Sequence, residues 1–278
     1  MDPLVSTAWL TEHLDRVRVV DASYYLAEHS RDARAEFAAG HIPGAMFLDL
    51  GTLADPASPL PMTLPPAAAL ADRLGQFGIA SGDRIVLYDA SPIRPAARAW
   101  WMLRMAGIAD VEILDGGFAK WRAEGRETTA EHTPRPPAPI APVAPLATRA
   151  SFETVRAIVA EGGTQIVDAR SPARFAGTEP ETRPGIAPGH IPGSRNLHYT
   201  KLFESDGTWK RPHALAAAFA DAGIDPSKPA VATCGSGVTA ALLVFAAHLL
   251  GYPMSLYDGS WTEWGGHPDT AKALGEAS

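Results

Sequence analysis

The chain contains one cysteine, Cys234, inside the run Ala-Val-Ala-Thr-Cys-Gly-Ser-Gly-Val-Thr-Ala (230–240). A short β-branched stretch there meets a glycine-containing turn, and the apolar segment from Val238 to Leu250 follows. That order reads as strand, loop and helix start, with the thiol in the loop. A thiol so placed faces backbone N–H groups that have no intrahelical partner and the positive end of a helix dipole, both of which favour thiolate over thiol. The chemistry implied is nucleophilic.

Elements that could position this nucleophile are written twice along the chain. Val20-Asp21-Ala22-Ser23 is followed 20 residues after Asp21 by His41-Ile-Pro-Gly, and Val167-Asp168-Ala169-Arg170 is followed 22 residues after Asp168 by His190-Ile-Pro-Gly. Ile85 to Ala90 then corresponds to Ala230 to Gly235, and Asp115-Gly-Gly-Phe with Trp121 corresponds to Asp258-Gly-Ser-Trp with Trp264. From first Asp to last Trp the copies span 100 and 96 residues, so the chain is a tandem duplication. The first copy is assigned residues 1–130 and the second 149–278. The proline-rich stretch 131–148 between them favours an extended, semi-rigid path and reads as a linker.

Each copy alternates short apolar strands (18–21, 85–88, 111–114; 165–168, 230–233, 254–257) with helical stretches (67–77, 95–105; 152–160, 214–222). This spacing predicts α/β domains, each a mostly parallel sheet with helices on both faces. Ligands of open α/β sheets bind beyond the carboxyl ends of the strands, where Cys234 falls. Asp89 stands at the equivalent point of the first copy, and a carboxylate there offers no thiol nucleophile. The first copy is therefore read as non-catalytic, a partner walling one side of a cleft.

With 31 acidic against 24 basic residues and a net charge of −7, no cluster of Lys or Arg suits nucleic acid. No apolar run approaches the roughly 18 residues that span a bilayer, which argues against a membrane role. A lone cysteine fits a reducing compartment and the N-terminus lacks a signal-peptide pattern, so a cytoplasmic location is expected. No metal-ligand or phosphate-loop pattern is present, and no cofactor is implied. His41 and His190 begin the same turn in both copies, including the copy without a nucleophile, and are read as structural, as are Trp121 and Trp264. His248, inside an apolar stretch, is expected to be buried.

The doubled Val-Asp-Ala…His-Ile-Pro-Gly pattern and the loop Cys-Gly-Ser-Gly-Val-Thr resemble the tandem-domain rhodanese superfamily, in particular its 3-mercaptopyruvate sulfurtransferase branch. The resemblance implies a persulfide on Cys234, loaded from a small sulfur donor and discharged to a thiol such as thioredoxin or glutathione, or to cyanide. It also implies that Arg174 and Arg183 clamp the donor carboxylate, a task suited to guanidinium groups. Gly235 and Gly237 let the loop curl tightly around the outer sulfur, Val238 and Thr239 complete it, and the Ser236 hydroxyl can protonate the leaving enolate. The thiosulfate branch carries basic residues directly after the cysteine, whereas Gly235 and Ser236 are neutral, so 3-mercaptopyruvate is the favoured donor and thiosulfate the alternative. Family members commonly have a histidine where Met62 stands; Asp49 with bound water is the candidate replacement. A related phosphatase would need arginine at position 240, which is alanine here. A persulfide carrier with little turnover of its own is a further alternative.

Overall fold

The computed structural model describes residues 2–132, 134–140 and 143–276. Among these residues ten strands form two five-stranded, all-parallel sheets. In the first, β1 (Leu4–Val5), β2 (Arg18–Asp21), β3 (Met46–Phe47), β4 (Ile85–Tyr88) and β5 (Val111–Leu114) lie in the order β1-β5-β4-β2-β3. In the second, β6 (Arg149–Ala150), β7 (Gln165–Asp168), β8 (Arg195–Asn196), β9 (Ala230–Thr233) and β10 (Met254–Tyr257) repeat it as β6-β10-β9-β7-β8. Helices interleave the strands in both.

The six strands expected from sequence are present with the residues named. The four others, β1, β3, β6 and β8, are two-residue edge strands, too short to show periodicity. The helix expected at 214–222 is Pro212–Asp221, because proline at its first position is preset for the helical turn. All four residues of β4, β5 and β9 are buried, as parallel strands covered on both faces require. On one face of the first sheet, Val19, Val86 and Leu114 pack with Leu10, Phe37, Phe118 and Trp121 from three helices. On the second, Ile166, Val231 and Tyr257 pack with Val155, Trp261 and Trp264. His248 departs from expectation: the helix Ala240–Leu249 is buried through Ala247, but its last turn surfaces and His248 is exposed.

By contacts the chain divides into two compact units, residues 1–56, 64–147 and 204–209 in one, and 57–63, 148–203 and 210–278 in the other. The described residues of the proline-rich stretch form no helix or strand, and two of them bond the first unit: Ala138 N–H donates to the Gly75 carbonyl and Leu146 N–H to the Arg104 carbonyl, at 2.9 and 2.8 Å. Thr133, Ala141 and Pro142 lie outside the described residues. No helix among the described residues is long and apolar enough to cross a membrane.

The repeated histidines do the same job in each unit. His41 Nδ1 donates to the Phe37 carbonyl at 2.8 Å and stacks on its ring at 3.9 Å; His190 does so with Phe175 at 2.9 and 3.8 Å. Trp121 and Trp264 are likewise buried, each donating its indole N–H to a carbonyl downstream.

Asp89, the first unit's counterpart of Cys234, is buried, and burial pushes its pKa from 3.8 up to about 6 even though its carboxylate accepts the Ala96 N–H at 2.9 Å. Between those pH values the folded state keeps a proton that the unfolded chain has lost, so stability falls as pH rises and the penalty is complete above about pH 6. Asp89→Asn should therefore stabilise the protein at pH 7.5 by up to about 3 kcal/mol, from roughly two pKa units at 1.36 kcal/mol each. It should also flatten the loss of stability between about pH 4 and 6, read by denaturant unfolding across pH. A variant no more stable than the parent at pH 7.5 would contradict the assignment.

Candidate active site

Of the candidate residues, all but Asp49 belong to the second unit. Strand β9, between β10 and β7, ends at Thr233, and Cys234 follows it, 2% exposed. The loop is tied down from the opposite element. The Cys234 N–H donates to Ser260 Oγ at 3.2 Å, and the Ser260 hydroxyl donates onward to the Tyr257 carbonyl at 2.8 Å. Trp261 N–H donates to the Cys234 carbonyl at 2.9 Å, while the Thr262 N–H and hydroxyl both donate to the Gly235 carbonyl, at 3.0 and 2.6 Å. Gly237 then takes φ of 79°, the left-handed conformation that glycine adopts without strain, and Thr239 begins the helix Ala240–Leu249.

The consequence is electrostatic. Among the described residues, nothing accepts the N–H groups of Gly235, Ser236, Val238 or Thr239. Successive unpaired amides beside a helix start form a concavity suited to an anion. Ser236, 6% exposed, adds a buried hydroxyl.

The two arginines come to this loop from the segment after β7. Arg174 lies on the short helix Pro172–Ala176, capped by Ser171, and its guanidinium nitrogens stand 3.5 and 3.9 Å from where a side chain on Gly235 would begin. Arg183 donates to Thr262 Oγ1 at 3.2 Å, and Thr262 in turn holds the Gly235 carbonyl. Both guanidinium groups thus converge on Gly235, next to the thiol. Asp49 lies in the first unit, where it meets Arg34 at 3.4 Å and accepts the Gly51 N–H at 3.1 Å. Met62 is buried with φ of 62°, in the short segment that belongs to the second unit.

Four residues escaped the sequence reading. Arg170, 3% exposed, bonds Asp168 through Nε and Nη2 at 3.0 and 2.7 Å, Glu181 at 2.6 Å and the Gly189 carbonyl at 2.7 Å, with its carbon 4.7 Å from the centre of the Trp261 ring. Burial works against its charge, but Asp168 and Glu181, with Cys234 contributing, outweigh it and hold the guanidinium pKa above its ordinary value. Glu181 also pairs with Arg174, so a single carboxylate orders both arginines. Ser260 and Thr262 anchor the loop. Three of the four, Arg170, Ser260 and Thr262, stand where the internal copies differ: they replace Ser23, Gly117 and Ala119. That difference was the available signal.

Ser260 has φ of 51°, unusual for a residue other than glycine, and Gly117 takes 58° at the same point of the first unit. Ser260→Gly should relieve roughly 1 kcal/mol of backbone strain while removing two hydrogen bonds at the cysteine loop. The thermal midpoint should change little and kcat/KM for sulfur transfer should fall by about tenfold. An unchanged kcat/KM would show that the hydroxyl does not position the loop.

Comparison with known proteins follows the same lines. The rhodanese-like domain family matches residues 6–124 and again 151–267. The chain is 41% identical over 270 residues to 3-mercaptopyruvate sulfurtransferase of Rattus norvegicus, covering 94% of this chain and 91% of that one. It is 39% identical over 272 residues to thiosulfate sulfurtransferase of Cricetulus griseus, with the same coverage. Among solved structures, SseA from Escherichia coli, described among 3-mercaptopyruvate sulfotransferases, superposes with a TM-score of 0.85 at 34% identity, over 94% of this chain and 99% of that one.

Proposed function

Because this chain belongs to the rhodanese family, as a tandem-domain sulfurtransferase, we propose that it moves a sulfur atom from 3-mercaptopyruvate to a thiol, as the sulfane sulfur of a persulfide on Cys234. The observation that carries this reading is the set of four unpartnered amides next to the only cysteine, with Arg174 and Arg183 converging on the same loop.

The steps balance as follows. The Cys234 thiolate attacks the donor sulfur, a sulfur–sulfur bond forms, and the carbon–sulfur bond breaks with its electron pair leaving as the enolate of pyruvate. Arg174 and Arg183 hold the donor carboxylate, and Ser236 supplies the proton that completes pyruvate. The persulfide's negative charge rests on the outer sulfur, and the loop amides solvate it there. An acceptor thiol, such as glutathione or thioredoxin, or cyanide, then attacks the outer sulfur and releases the Cys234 thiolate. Asp49 is retained as the relay carboxylate in place of a histidine at position 62, and the reducing cytoplasm is the proposed compartment.

Donor choice follows from charge. Thiosulfate is a compact dianion, and the two loop residues after the cysteine are neutral here. Arg174 already faces Gly235, so the loop's positive charge is spaced for a carboxylate rather than gathered at the sulfur. The thiosulfate reading draws support from relatives of similar identity, and kcat/KM for the two donors with one acceptor distinguishes them: 3-mercaptopyruvate should be preferred, and a preference for thiosulfate would overturn the donor assignment.

Two variants probe the residues. Arg174→Ala and Arg183→Ala should each lower kcat/KM for 3-mercaptopyruvate by roughly 10- to 150-fold, the loss of one charge-assisted bond of about 1.5–3 kcal/mol. Unchanged kinetics would remove that arginine from the site. Gly235→Arg with Ser236→Lys adds cations where a dianion would bind and deletes the proton donor. The thiosulfate to 3-mercaptopyruvate efficiency ratio should then rise at least about tenfold, equivalent to 1.4 kcal/mol. A folded double variant with the parental ratio would place selectivity elsewhere.

A further inference from the structure

The two units build the same corner at the end of β2 and of β7, but only one is filled. In the second unit the Arg170 guanidinium occupies it, touching the Asp168 carboxylate, the Gly189 carbonyl and the face of Trp261. Backbone bonds fix the correspondence. Ser23 N–H donates to Asp21 Oδ1 at 2.8 Å as Arg170 N–H does to Asp168 Oδ1 at 2.9 Å, and Phe118 N–H donates to the Asp89 carbonyl as Trp261 N–H does to that of Cys234. Gly40 precedes His41 as Gly189 precedes His190. The first unit thus has Asp21, Gly40 and Phe118 in place of three of the four groups that hold the guanidinium, Glu181 being the fourth, but Ser23 in place of the arginine.

These residues line a cavity of about 370 Å³. At about 30 Å³ per water that is room for roughly a dozen waters, more than a guanidinium needs. Asp21 is 4% exposed, and its hydrogen-bond partners, Ser23 and Tyr88, are neutral. Arg31 and Glu36 also line the space, but Arg31 bonds Glu36 twice at 2.7 Å and stacks on Tyr25, and it makes no bond to Asp21 or to the Gly40 carbonyl. Arg31 and Glu36 thus satisfy one another, while burial pushes the Asp21 carboxyl above its ordinary range, a cost that a cation seated beside it would offset. Nothing among the described residues donates to the Gly40 carbonyl.

We propose that this cavity is a binding site for a small guanidino compound, whose planar cation takes the place that Arg170 fills in the other unit. Guanidinium suits it better than ammonium, since its fork of donors can engage a carboxylate and a carbonyl at once while its face rests on an aromatic ring. Arg122, exposed at the lining, holds its guanidinium carbon 6.0 Å from the centre of the Phe118 ring, so the ligand's cation takes the side of that ring toward Asp21 while Arg122 stays at the mouth for a carboxylate tail. This inference is independent of the donor and of sulfur transfer.

Isothermal titration of the intact protein with methylguanidinium chloride tests it, with methylammonium chloride and sodium chloride at equal ionic strength as comparisons. Saturable binding of methylguanidinium, at least tenfold tighter than methylammonium, is expected. Asp21→Asn should weaken it by at least tenfold, and Ser23→Arg, which supplies the missing guanidinium from the chain itself, should abolish it, with circular dichroism confirming the fold of each. Absence of saturable binding to the parent overturns the proposal, as does equal binding of the two cations or undiminished binding in either folded variant. Should one variant fail to fold, the cation comparison and the other variant decide.

Discussion

A carboxylate buried at the carboxyl end of a parallel strand must either be matched by a cation or pay for its charge with a raised pKa, and in the second unit the match organises everything around the cysteine. Asp168 is fully buried; Arg170 answers it with two bonds, and the same guanidinium reaches Glu181, the Gly189 carbonyl and Trp261. Glu181 passes the constraint to Arg174, which faces Gly235. Trp261 passes it to the Cys234 carbonyl through its backbone N–H. A buried network of this kind adds little net stability over apolar packing, but breaking it by removing one member typically costs about 3–5 kcal/mol, so its members are held in a single arrangement. That rigidity is what a clamp for a small carboxylate requires.

The loop itself shows how one sheet position supports two outcomes. Both units place a residue just past the central strand, with its carbonyl bonded by an N–H from the element after the next strand. In the second unit the residue is a thiol followed by the amides of Gly235, Ser236, Val238 and Thr239, which have no acceptor among the described residues, and an anion is welcome there. In the first it is Asp89, whose own charge is disfavoured by burial. One fold thus holds a thiol in one copy and, in the other, a carboxyl group on which no sulfur can be carried.

Much of this was legible in the sequence because duplication supplies an internal control. The central strands read correctly because four-residue apolar runs bounded by turn residues have few alternatives. The histidine turns read as structural because a copy lacking the nucleophile kept them, and Phe37 and Phe175 show why. The edge strands were invisible: two residues pair with a neighbour only because the sheet is already there. Arg170, Glu181, Ser260 and Thr262 were missed because their roles depend on contacts across β7, β9 and β10, which no local pattern encodes. His248 was misjudged because an apolar helix can still end at the surface, and only its packing tells where.

The central claim is that Cys234 carries the transferred sulfur. Intact-mass analysis of the protein after brief treatment with 3-mercaptopyruvate, without acceptor, tests it most directly. The account predicts the added mass of one sulfur atom, absent from Cys234→Ser and discharged when a thiol acceptor is supplied. Pyruvate released by the parent with no added sulfur on the protein, or sulfur transfer that persists in Cys234→Ser, would contradict it.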